Sequence, residues 1–164
     1  MKGQQIAVRP VQAVDLAWIL ALNTVHEEAL SPLNAERLEE LVEAAALVRV
    51  ADAGAGFVIC FNQTAEYDSP NFIWFRERYE RFLYVDRIAV DATKGIAGVG
   101  KALYSAVAGA AADANYPLIC AEVNTDPPNP GSLAFHAKQG FETVGEAHLP
   151  ERGKSVRYLA RPVG

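Results

Sequence analysis

Three glycines fall within six residues in "DRIAVDATKGIAGVGKALYSAV", at Gly95, Gly98 and Gly100, between an apolar strand and an alanine- and leucine-rich helix. Glycine tolerates positive φ and close backbone approach, so peptide N–H groups at the helix start can close around an anion. Read as a nucleoside-triphosphate loop, Gly95, Gly100 and Lys101 satisfy most of G-x-x-x-x-G-K-[ST], but Ala102 stands where a magnesium-binding hydroxyl is required. Only 64 residues follow Gly100, too few for the repeated βα units of that fold. Read as a dinucleotide fingerprint, Gly98 and Gly100 fit, but the third glycine is Leu103. The remaining chemistry needs only the amides from about Gly95 to Lys101, which suit a diphosphate without magnesium. Taken alone, a G-x-G pair is also explained by a tight strand-to-helix turn with no ligand.

The elements around the turn follow from apolar spacing and chain punctuation. "QQIAVRPVQ" predicts a first strand halted by Pro10; Leu16, Ile19, Leu20 and Leu22 predict an amphipathic helix from Asp15 to about Leu30. A second helix runs from Asn34 to about Ala46 and buries Leu38, Leu41 and Val42, and "ALVRVADAGAGFVICFN" reads as a hairpin turning at Gly54 and Gly56. The twenty residues "QTAEYDSPNFIWFRERYERF" exceed what a tight connection needs. "FLYVDRIAV", the glycine turn, a helix to about Ala114 and "PLICAEV" form a βαβ unit, which demands a parallel pair. A short helix follows, with Asn129 as cap, Pro130 as first residue and Gly140 as left-handed terminator, and two strands near 141–147 and 155–161 close the sheet. The expected fold class is α/β (α+β): a mixed, mostly antiparallel sheet with one parallel pair and helices on both faces, in one domain spanning residues 1–164.

Composition narrows the function classes. A net charge of −5 speaks against a nucleic-acid partner, and no apolar run approaches the ~18 residues of a membrane span. Cys60 and Cys120 lie in apolar strand-like runs and read as buried reduced thiols, too few for a metal cluster. A cytoplasmic location is the expectation, and a homodimer is left open.

"VDRIAVDATKGIAGVGKALY" followed by "NPGSLAFHAKQGFETVG" resembles the GNAT superfamily of acyl-coenzyme A N-acyltransferases, over roughly residues 81 to 147. Gly98 and Gly100 match the family's phosphate motif, while Gly95 stands where that motif has Arg or Gln; Lys94 or Lys101 are the nearest cations. Asn129, His136, Gly140 and Phe141 keep the spacing of the later motif, with histidine replacing tyrosine, as in members resembling phosphinothricin acetyltransferase.

The resemblance implies that the two parallel strands splay apart and that acetyl-CoA, or another acyl-CoA, is the co-substrate, with no metal. Its pantetheine arm would pair with the strand edge at Ile88, Ala89 and Val90, an amide of Ile88 or Ala89 would face the oxyanion, and the diphosphate would rest on Gly95, Ile96, Ala97, Gly98, Val99, Gly100 and Lys101. Asn129, Ser132, Phe135 and His136 would complete the cofactor side. His136 is the candidate general acid, through a neutral N–H or a raised pKa, against a purely packing role.

Tyr84, Asp86, Ile88 and Val90 alternate onto one strand face, making Asp86 the best-placed base for the acceptor amine, against the slightly favoured alternative of an ion pair with Arg87 or with an arginine of the preceding insert. Glu122 is a weaker candidate. For the acceptor, the resemblance points to the segment joining the first helices and to the aromatic insert. Glu27 and its neighbours His26 and Glu28 would receive a cationic amine, Tyr67 and Trp74 would wall the pocket beside Tyr84, and Arg76 or Arg78 would bind a carboxylate. Core packing and a solvated charged face explain the same residues without function. The expected function is N-acyl transfer to a small-molecule or protein amine; a non-catalytic acyl-CoA-binding sensor is the alternative.

Overall fold

The computed structural model describes residues 6–163. Seven strands, β1 (Val8–Pro10), β2 (Leu47–Ala51), β3 (Gly56–Asn62), β4 (Leu83–Val90), β5 (Leu118–Asp126), β6 (Glu142–Leu149) and β7 (Lys154–Pro162), form one sheet in the order β1-β2-β3-β4-β5-β7-β6. Only the β4–β5 pair is parallel. Helices α1 (Leu16–Val25), α2 (Glu27–Leu30), α3 (Ala35–Ala44) and α4 (Pro70–Arg76) precede β4; α5 (Val99–Asp113) joins β4 to β5, and α6 (Pro130–Lys138) follows β5. This is the mixed architecture expected from the sequence. Gln4 and Gln5 of the expected first strand lie outside the described residues.

Local chemistry explains the element ends. Asn34 caps α3 by accepting from the Arg37 amide at 2.7 Å, and Asn129 caps α6 by accepting from the Ser132 amide at 3.3 Å, with Pro130 in the first turn. Gly140 takes φ +92° just past α6. The expected single helix from Asp15 to Leu30 breaks instead at His26, whose backbone leaves the helical region (φ −107°, ψ 17°). Its ring reaches across to β4, a long-range contact that no local pattern encodes.

The sheet buries a core on each face. Ile19, Leu38, Leu41, Phe57, Ile59, Phe72, Phe75 and Tyr158 pack α1, α3 and α4 on one face, and Val58, Val85, Leu103, Tyr104, Val107 and Phe141 pack α5 and α6 on the other. The long insert is therefore mostly structural: Phe72 and Phe75 are fully buried, as a core stripe requires.

Two irregularities give β4 its unusual edge. Ile59 pairs with Arg87 but Cys60 with Val85, so Asp86 is an extra residue bulged out of the β3–β4 ladder. The bulge reverses side-chain alternation: Tyr84 and Ala89 join the first core, while Ile88 and Val90 pack against the second. The expectation that Tyr84, Asp86, Ile88 and Val90 share one face is corrected by that single inserted residue. The second irregularity is the parallel ladder itself, which holds only at Leu83–Ile119 and Tyr84–Cys120; beyond it β4 and β5 part.

Candidate functional site

Where β4 and β5 separate, a cavity of about 390 Å³ opens. Its walls are Asp86–Val90 of β4, Ala121–Asn124 of β5, His26 and Ala29–Leu33 around α2, Tyr67, Asn71, and Tyr104 with His136 from α5 and α6. Asp91 donates to the Ala55 carbonyl on the β3 side at 2.8 Å. Strand alternation then turns Ala89 toward β3 as well, and leaves Ile88 and Val90 with amides and carbonyls aimed into the gap. Of the three expected edge residues, Ile88 and Val90 offer hydrogen bonds there and Ala89 does not. The Val90 carbonyl already accepts from His26 Nε2 at 3.1 Å, which fixes the proton on that nitrogen.

At the end of β4, Gly95 and Gly98 adopt φ of +64° and +82°, the left-handed region that glycine enters without strain. No side chain caps α5, and the amides of Val99, Gly100 and Lys101 have no hydrogen-bond partner among the described residues, leaving a positive helix end open to solvent. Ile96 and Ala97 of the same turn are exposed. A Cβ on Gly100 would lie 2.9 Å from Phe135 Cζ, so this glycine lets α6 pack against the start of α5.

The carboxylates are not equivalent. Asp86 accepts from Tyr67 Oη at 2.7 Å on one oxygen and from Arg87 Nε at 2.8 Å on the other. Both partners of this ion pair are about 95% shielded, with side-chain exposures of 5% for Arg87 and 4% for Asp86. Arg87 also donates to Asn23 Oδ1 at 2.9 Å and reaches the carbonyl of Ser31, a residue held at φ +75°. The geometry of Asp86 is therefore that of the ion pair with Arg87.

Glu122 differs. Its Oε1 accepts from Tyr84 Oη at 2.8 Å and Asn71 Nδ2 at 3.0 Å, and Asn71 Oδ1 accepts from Tyr158 at 2.9 Å. Its Oε2 is shielded from solvent and is the one buried side-chain polar atom without a partner among the described residues. Burial first, then the negative charge of Asp86, pushes its pKa up to about 8, against the downward pull of its two hydrogen bonds. The sequence ranks Asp86 above Glu122; the structure reverses the geometric ranking, because desolvation and an orphaned lone pair are tertiary properties.

His136 is buried, and both of its ring nitrogens are engaged. Nδ1 lies 2.8 Å from the Ser132 carbonyl, which can only accept, so Nδ1 carries the proton; Nε2 then accepts from Tyr104 Oη at 2.6 Å. Burial lowers its pKa rather than raising it. Ser132 and Asn129 line the cavity beside it.

The acceptor-side expectations divide. Tyr67 lines the cavity and stacks on Phe61 at 4.6 Å. Trp74 does not line it: it stacks on Tyr158 at 4.2 Å, over Gly145, where any side chain would collide with the indole. Arg76 lies over the Phe72 ring at 5.3 Å, and Arg78 over Trp74 at 3.9 Å; neither reaches the cavity. Tyr84 is fully buried beneath Glu122, and Glu27 is exposed on α2 outside the cavity. Sequence reasoning missed Arg37, Arg152 and Lys154, which do line it. Arg152 comes from the β6–β7 turn and Lys154 opens β7, where an ordinary charged turn gives no signal.

Residues 16–141 match the model of the Acetyltransferase (GNAT) family. No curated protein sequence matches the chain. Among solved structures, Ard1 from Thermoplasma volcanium aligns with a TM-score of 0.76 at 18% identity, covering 97% of this chain and 98% of its own. The ribosomal-protein-S18-alanine N-acetyltransferase from Escherichia coli aligns at 0.71 and 14%, covering 98% and 95%. The ribosomal-protein-alanine N-acetyltransferase from Brucella melitensis aligns at 0.71 and 19%, covering 95% and 99%. At these identities the likeness is one of fold.

Proposed function

The chain belongs to the acetyltransferase (GNAT) family, and we propose that it transfers an acetyl or other short acyl group from acyl-CoA to a primary amine that attacks the thioester directly. The observation that carries this reading is the unzipped edge of β4: Ile88 and Val90 turn their amides and carbonyls to the gap rather than to a neighbouring strand, with only the Val90 carbonyl engaged, by His26. A chain of amides can add there as a strand would, displacing the His26 ring from the Val90 carbonyl. The open amides of Val99, Gly100 and Lys101 fit the diphosphate, and the Ile88 amide faces the developing oxyanion.

Acceptor amines arrive protonated and must lose a proton before attack. Glu122 takes it, and a base with a pKa of about 8 is well matched to neutral operation. As the C–N bond forms and the C–S bond breaks, a second proton leaves nitrogen and ends on sulfur, giving amide and free thiol. The Tyr104 hydroxyl on that wall of the gap gives its one O–H to His136 Nε2 in the free protein; as the C–S bond breaks it turns that O–H to the leaving sulfur, and His136 is the positioning residue that holds it until then. A sensor that only binds acyl-CoA has no use for a buried, half-satisfied carboxyl in the cavity, which favours turnover.

Thiol release from acetyl-CoA, measured with and without an amine panel, tests the reading. Amine-dependent release supports it. Binding without release on any amine would leave only the sensor.

A further inference from the structure

The cavity is unevenly charged. The protein carries a net charge of −5, yet Arg37, Arg152 and Lys154 line this cavity, while of its two carboxyl groups Asp86 is neutralised by Arg87 and Glu122 is bound by Tyr84 and Asn71. Arg152 makes no ion pair among the described residues, and Lys154 Nζ donates only to the neutral Glu28 carbonyl, at 2.7 Å. Arg37 is shared with the exposed Glu40 at 3.0 Å. Two cations thus reach the cavity without an anionic partner.

Their location separates them from the diphosphate site. Val156 of β7 packs into the core beneath α1, α3 and α4, and Lys154, two residues earlier, shares its face. The glycine turn and α5 lie on the opposite face. Along β7, Tyr158 pairs with Glu122 and Val156 with Asn124, so Lys154 stands four residues from the level of Glu122, about 13 Å of strand. The length of the lysine stem shortens that span. A carboxylate oxygen without a hydrogen-bond partner therefore marks one end of the acceptor face, and cations without an anionic partner mark the other.

We infer that the acceptor is a small amine that also carries an oxyanionic group, a carboxylate or phosphoryl, placing its ammonium toward Glu122 and its anion between Arg152 and Lys154. This rests on the acyl-transfer reading. The cavity of about 390 Å³ must hold both the thioester arm and the acceptor, which leaves room for a molecule of amino-acid size. A single oxyanion also answers two cations that would otherwise repel across the same opening.

Thiol-release kinetics on matched acceptors test this: an amino acid, its carboxamide, its decarboxylated amine, the corresponding aminoalkylphosphonate, and a short peptide with a free N-terminus. Wild-type protein is compared with Arg152→Gln and with Arg152→Gln/Lys154→Gln, each checked for thermal unfolding and acetyl-CoA binding. Arg152 is exposed in a turn, so the single variant provides the comparison if the double variant does not fold. The expected result is at least a tenfold kcat/KM preference for the carboxylate or phosphonate over the neutral amines, shrinking to about threefold or less in the variants. Whichever anion is preferred identifies the oxyanion. Equal rates on charged and neutral amines, a preference untouched by the substitutions, or faster transfer to the peptide overturns the inference while leaving acyl transfer intact. No release with any amine overturns both.

Discussion

Replacing Glu122 with Gln separates proton transfer from packing, because the amide nearly preserves shape and can still accept from Tyr84 and Asn71 through its oxygen. The wild-type carboxyl has a pKa of about 8 instead of the ordinary 4.5. At pH 7 roughly one molecule in ten then holds the basic form, and at pH 6 roughly one in a hundred, as tenfold per unit requires. With an acceptor whose own amine titrates far from pH 8, kcat/KM should climb about fiftyfold between pH 6 and 8 and level off above. Glu122→Gln should remove that limb and lower the plateau by about a hundredfold or more, the usual contribution of a general base. The same shift acts on stability. A carboxyl whose folded pKa is raised stabilises the fold fully below its unfolded pKa, and this contribution is lost as pH rises from about 4.5 through about 8. Thermal unfolding of wild type should therefore weaken across that window by an amount on the order of a few kcal/mol, while Glu122→Gln stays flatter. A variant that keeps the limb near pH 8, or loses less than threefold at the plateau, would refute the proton-transfer role.

Two further perturbations have distinct signatures. Asp86→Asn leaves the Arg87 guanidinium buried without its counter-charge, and should cost about 3–5 kcal/mol in denaturant unfolding; a loss below 1 kcal/mol would show that water reaches the pair. His136→Phe should lower kcat about tenfold with little change in the KM for acyl-CoA, and His136→Gln, which keeps an acceptor for Tyr104, should recover part of the loss. Equal losses in kcat and binding, with no rescue, would reduce His136 to packing.

The legible features in the sequence were those determined over a few residues. The Asn129 cap, the left-handed Gly140 and the parallel pair implied by a βαβ unit all depend on near neighbours, and all are present. The site itself was legible only in its backbone half. The Asp86 bulge is an insertion relative to β3, visible only once two strands are paired, and it shifts every side chain after it. Trp74 and Arg76 lie on a short helix whose facing is set by Tyr158 and Phe72, not by its own period. Glu122 owes its altered proton affinity to Asp86, Tyr84 and Asn71, which approach from other elements.

The central claim is that the free edge of β4 receives the thioester arm, and residue-resolved amide hydrogen exchange during titration with acetyl-CoA measures it at single peptide groups. Exchange at Ile88 and Val90 should slow on binding, while the Ala89 amide, already turned toward β3, stays unchanged. Saturating acetyl-CoA with no added protection at Ile88 or Val90 would contradict the account.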